Sequence, residues 1–358
     1  MASAIMQVDN RDIGRDNPTY FIADIAANHD GDLSRAKDLI YLAAEAGADA
    51  AKFQHFQADK IVSDFGFRSL GNRMSHQSSW GKPVFDVYQD AEVPHEWTRE
   101  LKKTCDDAGI HFFSAPYDFE AVELLDQVGV PAHKIGSGDI TWTEMIDRVG
   151  QSGKPVFIAT GASEMSDVTR ASDILKKYDV AVCLMQCNTN YTGSIENFSH
   201  IHLNVLKTYV KEFPDFVLGL SDHTPGCTTV LGAVALGARA IEKHFTDDKS
   251  RIGPDHKFSL NRKDWREMVE RTRELEASLG STRKFTAENE LETAILQRRC
   301  LCALRDIPEG SKVQQSDLVA LRPAIVGAFL PYEKNDLVGR VLKRKILKGE
   351  YLSPCDLI

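Results

Sequence analysis

The sequence predicts an α/β protein: a (β/α)8 barrel followed by a small β-rich C-terminal domain. Three observations carry this. From residue 20 a pattern recurs: a short apolar run rich in β-formers, a polar or glycine-containing turn, then a stretch with apolar residues at three- and four-residue spacing. The pattern recurs eight times. After Gly280 its character changes. Alternating strands and helices imply a parallel sheet. Eight units in about 250 residues close into a barrel more readily than they form an open sheet. No GxGxxG turn follows the first run, which weakens a dinucleotide-binding alternative.

In order, the runs are YFIADIAANH, ADAAKFQHF, IHFFSAP, AHKIGSG, PVFIATGA, AVCLMQC, FVLGLSDH and ARAIEKHF. Between them lie helical patterns such as LSRAKDLIYLAAEAG and EWTRELKKTCDDAG, which end in the glycine expected of a C-cap. Two longer insertions, residues 60–95 and 246–260, follow the second and eighth strands. That puts them on the C-terminal face, where barrel enzymes keep their chemistry. The barrel is expected over residues 1–280, a linker with some helix over 281–296, and the small domain over 297–358. In the last, RDIPEGSKVQQSDL and RKILKGEYLSPCDL read as two copies of strand, turn, strand and an Asp-Leu pair. About 60 residues is small for an independent core, so this piece is expected to dock on a barrel, its own or a partner's.

The composition is that of an ordinary soluble chain: 358 residues, 42% hydrophobic and 27% charged. A net charge of -9 argues against nucleic-acid binding, yet leaves room for an anionic small substrate in a locally basic cleft. No leader pattern opens the sequence, and no apolar run has membrane-spanning length. The seven cysteines form no CxxC pair, so reduced thiols in a cytoplasm are expected.

Polar residues at strand C-termini are candidate site residues in a barrel. Here they are Asp24, Asn28 and His29; Lys52 and Gln54; Ser114 and Tyr117; Lys134, Ser137 and Asp139; Thr160; Gln186, Asn188, Thr189 and Tyr191; Ser221, Asp222 and His223; Glu242, Lys243 and His244. Two histidines ending adjacent strands suit a divalent metal with positions left for water and a substrate oxygen. The plainer alternative is two buried imidazoles bonded to carbonyls. Lys52 and Lys134, beside the Gly-Ser-Gly turn, make a phosphate or carboxylate cradle, or else structural ion pairs. Asp255, in IGPDHKFSL, is a general base, a partner of the metal ligands or a loop cap. The segment NRMSHQSSWGK is a solvated loop or a reader of sugar hydroxyls.

FIADIAANHDGDL, GADAAKFQ, KIGSGD, ATGAS, GLSDHT, ALGARAIEKHFTDD and GPDHKFSL, in that order, resemble the sialic (nonulosonic) acid synthase family. The PEG, RP, VG and KGE spacing of the tail resembles the antifreeze-like (SAF) domain those enzymes carry. The resemblance implies condensation of phosphoenolpyruvate with an open-chain amino-sugar aldehyde, releasing phosphate by C–O cleavage. It implies a divalent metal, manganese first with magnesium or cobalt as alternatives, on His223 and His244. It places Lys52, Lys134, Ser137 and Ser221 against phosphoenolpyruvate, with Ser114, Thr160 and Thr189 at motif positions beside them. Gln54, Tyr117, Asp139, Tyr191 and Asp255 would surround the sugar and the reacting centre. Asp24 would orient or deprotonate the attacking water. Arg322 would reach the active site of the other subunit of a domain-swapped homodimer.

Three positions depart from the family pattern: Asp24 where glutamate is usual, Ala115 in place of a threonine, and Ala159 in place of a serine. They bear on which sugar is used: N-acetylmannosamine, its 6-phosphate or a diacetamido-trideoxy hexose. A phosphorylated sugar would want basic residues near the mouth, for which Arg68, Arg73 and Lys82 are candidates. Octulosonate- or heptulosonate-phosphate synthases share the chemistry but not the tail. A non-catalytic sugar-binding barrel is the remaining alternative.

Overall fold

The first element of the computed structural model is one the periodicity did not announce. Strands β1 (Ile5–Val8) and β2 (Arg11–Gly14) form an antiparallel hairpin around Asp9, whose φ is 49°. Met6, Val8 and Ile13 are fully buried in the main core. Arg11 pairs with Asp49 at 2.5 Å, just before the second barrel strand, so the hairpin closes the N-terminal end of the barrel. The model describes residues 4–70, 77 and 80–358.

The barrel consists of β3 (Tyr20–Asp24), β4 (Ala50–His55), β5 (His111–Pro116), β6 (His133–Ile135), β7 (Val156–Ala159), β8 (Val182–Cys187), β9 (Val217–Asp222) and β10 (Ala240–His244), all parallel and closed by β10 on β3. Every expected run contains one of these strands. Helix starts are set by side-chain caps: Asp32 accepts from the Arg35 amide and Asp118 from the Ala121 amide. Gly47 and Gly129 end those helices at φ 97° and 78°, left-handed values that glycine reaches without strain.

Register places the chemistry. Asp24 lies beside Lys52 and His244, and Ser221 beside Glu242 and Cys187. Successive strand residues alternate between the barrel interior and the helical layer. Inside, Phe113 stacks on Phe157 with ring centroids 5.3 Å apart and fills the barrel below the mouth. Outside, Lys243 meets Asp222 at 2.5 Å, and Thr224 and Thr229 also hydrogen-bond to that carboxylate. Both ion partners are fully buried; the carboxylate is compensated by the ammonium and the two hydroxyls, and the ammonium also donates to the Thr224 carbonyl. The insertion after β4 contains helices Ala58–Ile61, Asp64–Leu70 and Val84–Asp90. The one after β10 is a loop with a short turn at His256–Phe258, anchored by bidentate Arg35–Asp247 bonds.

The chain divides into two compact units, Met1–Gly280 and Ser281–Ile358. In the second, β11 (Cys300–Ala303) pairs antiparallel with β12 (Leu318–Leu321). The two repeated segments are real copies, but their strands shrink to isolated bridges such as Ile307 with Ile346. What repeats is a charge lock: Arg305 on Asp317 and Arg344 on Asp356, each aspartate also capping its own short turn. Ile307, Val313 and Leu318 join Ile346, Leu352 and Leu357 in one small core. All seven cysteines are free thiols. Among the described residues no helix is long and apolar enough to cross a membrane.

Breaking the outer ion pair tests its weight. Lys243→Met should cost the barrel unit about 3 kcal/mol, because it leaves a buried carboxylate without its cation. Urea denaturation reads this directly, and a loss below about 1 kcal/mol would mean the pair is not stabilising.

Candidate active site

Side chains that β3, β4, β6, β8, β9 and β10 point inward meet in a cavity of about 350 Å³ at the C-terminal mouth. Its floor is a chain of alternating charge. Asp24 Oδ2 lies 2.7 Å from Lys52 Nζ; Lys52 Nζ lies 3.8 Å from Glu242 Oε2; Lys134 Nζ lies 3.1 Å from Glu242 Oε1. Gln54 donates to Asp24 and Ser221 to Glu242. All four charged groups are buried. Burial pulls the Lys52 ammonium down, but Asp24 and Glu242 outweigh it and hold its pKa above the ordinary value. Burial pushes Glu242 up, and Lys134 and Lys52 hold it well below the usual carboxylate range. For Asp24 burial wins over Lys52, so its carboxyl is raised.

Above this floor stand the two histidines, ring centroids 5.3 Å apart. His223 Nδ1 donates to the Asn188 carbonyl at 2.9 Å, which leaves the Nε2 lone pair available. His244 Nδ1 is buried without a hydrogen-bond partner. Burial, helped by His244 for the first and Lys52 for the second, pushes both down to about 3, so both rings are neutral at physiological pH. Two neutral imidazoles side by side, one with an orphaned nitrogen, fit a divalent metal. Among the described residues no group of three or more His, Cys, Asp or Glu is arranged to hold an ion, so the protein would supply two ligands. The plainer reading keeps its share: the His223 ring does bond a backbone carbonyl.

Asp255 accepts from the Ala27 amide at 3.1 Å and lies 3.8 Å from His244; burial pushes it up to about 7. Tyr191 packs edge-on against His223 at 4.4 Å. Asp139 lines the cavity and is raised to about 6 by burial, against the pull of Lys134. The Ser137 hydroxyl accepts from the Gly161 amide. Tyr117 and Gln54 line the cavity wall. Thr189 sits half-buried over Gly161, where a Cβ would come within 2.6 Å of its methyl. Arg322 is exposed in the 281–358 unit.

Two sequence-derived candidates are corrected. Ser114 and Thr160 face the helical layer and do not line the cavity. Ser114 bonds His55 Nδ1 at 2.7 Å, and the other nitrogen of that ring bonds Thr98. Thr160 donates to the Met185 carbonyl and accepts from Tyr209. The reason is strand alternation: Phe113 and Ala159, one residue away, take the inward positions. Asn28 is likewise structural, tying the loop after β3 to Phe245 and Ser259. Of NRMSHQSSWGK, residues 72–76, 78 and 79, Arg73 among them, lie outside the described residues; Gln77 and Trp80 line the approach to the cavity. Arg68 and Lys82 are spent on Asp64 and Asp90.

Sequence reasoning passed over Cys187, Tyr88 and Phe258, and named Glu242 among the strand-end polar residues without giving it a role. Glu242 had a signal, since it sits two residues before His244 on the same strand face. Phe258 had none, because its place against His244 at 4.9 Å depends on how the last loop folds back.

Comparison with known proteins fits this geometry. Residues 39–284 match the NeuB family and residues 298–358 the SAF domain. The chain belongs to the NeuB family. It is 34% identical to the N,N'-diacetyllegionaminic acid synthase of Legionella pneumophila, over 93% of each chain. It is 32% identical to the human N-acetylneuraminate-9-phosphate synthase, over 92% of this chain and 89% of that one. Among solved structures, an N-acetylneuraminic acid synthetase from Leptospira borgpetersenii matches with a TM-score of 0.71 at 29% identity, over 81% of this chain and 95% of that one. The spore coat polysaccharide biosynthesis protein SpsE of Bacillus subtilis matches at 0.65 and 31%, over 99% of both.

The outward placements make a sharp expectation for this NeuB-family chain. Ser114→Ala should cost about 1–2 kcal/mol of stability through the lost buried hydrogen bond, while leaving any ligand affinity of the cavity within about twofold. The buried rings of His29 and His55, held down to about 4 and about 3 mainly by burial, add a pH dependence. The unfolded chain takes up these protons near 6.5 and the folded one does not, so stability is full above that pH and falls toward 3. Denaturation midpoints between pH 7 and 4 should decline, and His55→Gln should flatten part of the decline.

Proposed function

We propose that this chain is a nonulosonic acid synthase that condenses phosphoenolpyruvate with an uncyclised acetamido-sugar aldehyde. The observation that carries the reading is the meeting, in one cavity, of two buried lysines with two neutral histidines. A phosphorylated enol acid and an aldehyde need those two kinds of group, and few other substrate pairs need both.

Lys52 and Lys134, with the Ser137 and Ser221 hydroxyls, bind the phosphate and carboxylate and bring C3 of phosphoenolpyruvate toward the aldehyde. His223 and His244 hold a divalent ion, manganese first with magnesium or cobalt as alternatives, which when bound supplies Lewis acidity toward the aldehyde oxygen. Asp255 orients His244. Tyr191, Gln54, Tyr117 and Asp139 position the sugar. C3 attacks the aldehyde carbon and a water adds at C2. Asp24 takes a proton from that water, since its raised carboxyl is a better base than an ordinary aspartate. The tetrahedral centre then loses phosphate by cleavage of the C2–O bond. The two protons of the water end on the new hydroxyl and on the phosphate. Glu242, between the lysines, keeps them at fixed positions before substrate arrives. Assembly as a domain-swapped homodimer, with Arg322 reaching the partner's cavity, belongs to the same reading, as does a cytoplasmic location.

Phosphate release from phosphoenolpyruvate, with manganese and a panel of amino sugars, tests the proposal. Release that stops with EDTA is the expected result. His223→Ala or His244→Ala should lower turnover by at least about a thousandfold with the fold retained. Near-native rates in both would sink the metal assignment. Arg322→Ala should also slow turnover, and an unchanged rate would remove it from the site.

A further inference from the structure

Beyond the reacting centre the cavity continues outward through two more spaces. The first, of about 170 Å³, shares Gln54, Tyr88, Tyr117 and Tyr191 with the inner cavity. It opens through Trp80, Val87 and Pro254 into an outer space of about 1030 Å³. A sugar whose aldehyde lies at the histidines therefore runs its far end along this path.

We infer that the acceptor is an uncharged, methyl-bearing acetamido sugar and not a sugar phosphate, and that Phe258 and Trp80 form the slot that selects it. The inference rests on the synthase reading for the direction in which the sugar lies.

Two observations carry it. Much of the path's wall is apolar or aromatic, with Trp80, Val87, Ile252, Pro254 and Phe258 on it. Phe258 is 5% exposed and lies 4.9 Å from the His244 ring and 5.6 Å from Tyr191. Its seat requires Gly193: a Cβ there would stand 3.0 Å from that of Phe258, and the Gly193 φ is 63°. Further out, Ile252 lines the space at 99% exposure, leaving an apolar surface for a ligand to cover. Methyl groups gain by burial on such walls, and hydroxyls or phosphates lose their water there.

The second observation is charge. A phosphate dianion is held by converging cations or charge-assisted donors. Of the cations lining the outer space, Lys82 is paired with Asp90 at 2.5 Å, and only Lys257 has no ion-pair partner among the described residues. Two carboxylates, Asp30 and Asp90, line the same space. Asp30 is already satisfied by Arg35 at 3.0 Å and His256 at 2.9 Å. Among the described residues the intermediate space adds the Asp255 carboxyl and the neutral His244 ring, and no cation. Among the described residues, a phosphate on the far carbon would thus face two lysines, one of them already paired, and two carboxylates that are themselves paired, a lining with no surplus of positive charge.

Three sugars decide the matter with the full-length, manganese-supplied protein: a 2,4-diacetamido-2,4,6-trideoxy hexose, N-acetylmannosamine, and N-acetylmannosamine 6-phosphate. The expected order of kcat/KM is the order given, with at least about tenfold between the first and the last. Phe258→Ala should raise KM for the diacetamido sugar about tenfold with a smaller change in kcat, and narrow its advantage over the phosphate. A preference for the 6-phosphate, or an unchanged preference in Phe258→Ala, would overturn the inference. Saturation-transfer NMR of each sugar on phosphoenolpyruvate-loaded protein separates this from the synthase reading. If no sugar releases phosphate yet the diacetamido sugar binds most tightly, the slot stands and the synthase reading falls. Tighter binding of the 6-phosphate, or binding of none of the three, would refute the slot.

Discussion

The chain Asp24–Lys52–Glu242–Lys134 is the constraint on which the site depends. Each charge is withdrawn from water and tolerable only beside its opposite. The four come from β3, β4, β10 and β6, so a slip of one residue in any of these strands would strand a buried charge and turn its neighbour inward. Closing the barrel and assembling its charged floor therefore go together. The same arrangement holds the lysines in place, and an anionic substrate of the proposed kind would have to share the cations with carboxylates already present.

A second set of buried polar groups lies back to back with the first. Asp222 and Lys243 alternate with Ser221, His223, Glu242 and His244, and face the helices. Each histidine thus follows directly on a member of the outer ion pair, so the strand ends that present the imidazoles are held from behind. The Ser114–His55–Thr98 bonds do the same for β4 and β5. Chemistry sits on rigid strands. The outer spaces, by contrast, are lined from loops and short helices: the insertion after β4 supplies Trp80 and Tyr88, and the loop after β10 supplies Asp255 and Phe258. On the proposed reading, such a division would let the acceptor change by loop variation while the phosphoenolpyruvate end stays fixed.

Much of the molecule can be read from its residues alone. Eight apolar runs, the helix-ending glycines and the two insertions lead to the barrel and its working face. Lys52, Lys134, His223 and His244 announce themselves as polar residues where a strand should still be apolar. The N-terminal hairpin escapes because Ile5–Val8 and Arg11–Gly14 are too short for a strong periodic signal. In the second unit, the Arg305 and Arg344 copies show in the repeat, but the locks they make with Asp317 and Asp356 do not.

The sequence by itself determined the fold class, the family and the inventory of chemical groups, because these are written in local periodicity and in motifs that lie along the chain. Tertiary structure decided which of those groups meet. Ser114 and Thr160 belong to the same motifs as their inward neighbours, yet the parity of β5 and β7 sends them to the helices, and parity is set by register against the next strand. Glu242 became the centre of the charge chain only when β10 closed on β3 and brought Lys52 and Lys134 to its two sides. Phe258 reached the imidazoles only through the return of a loop. Local pattern fixes a side chain's type and its alternation; which face is the inside is a property of the closed barrel.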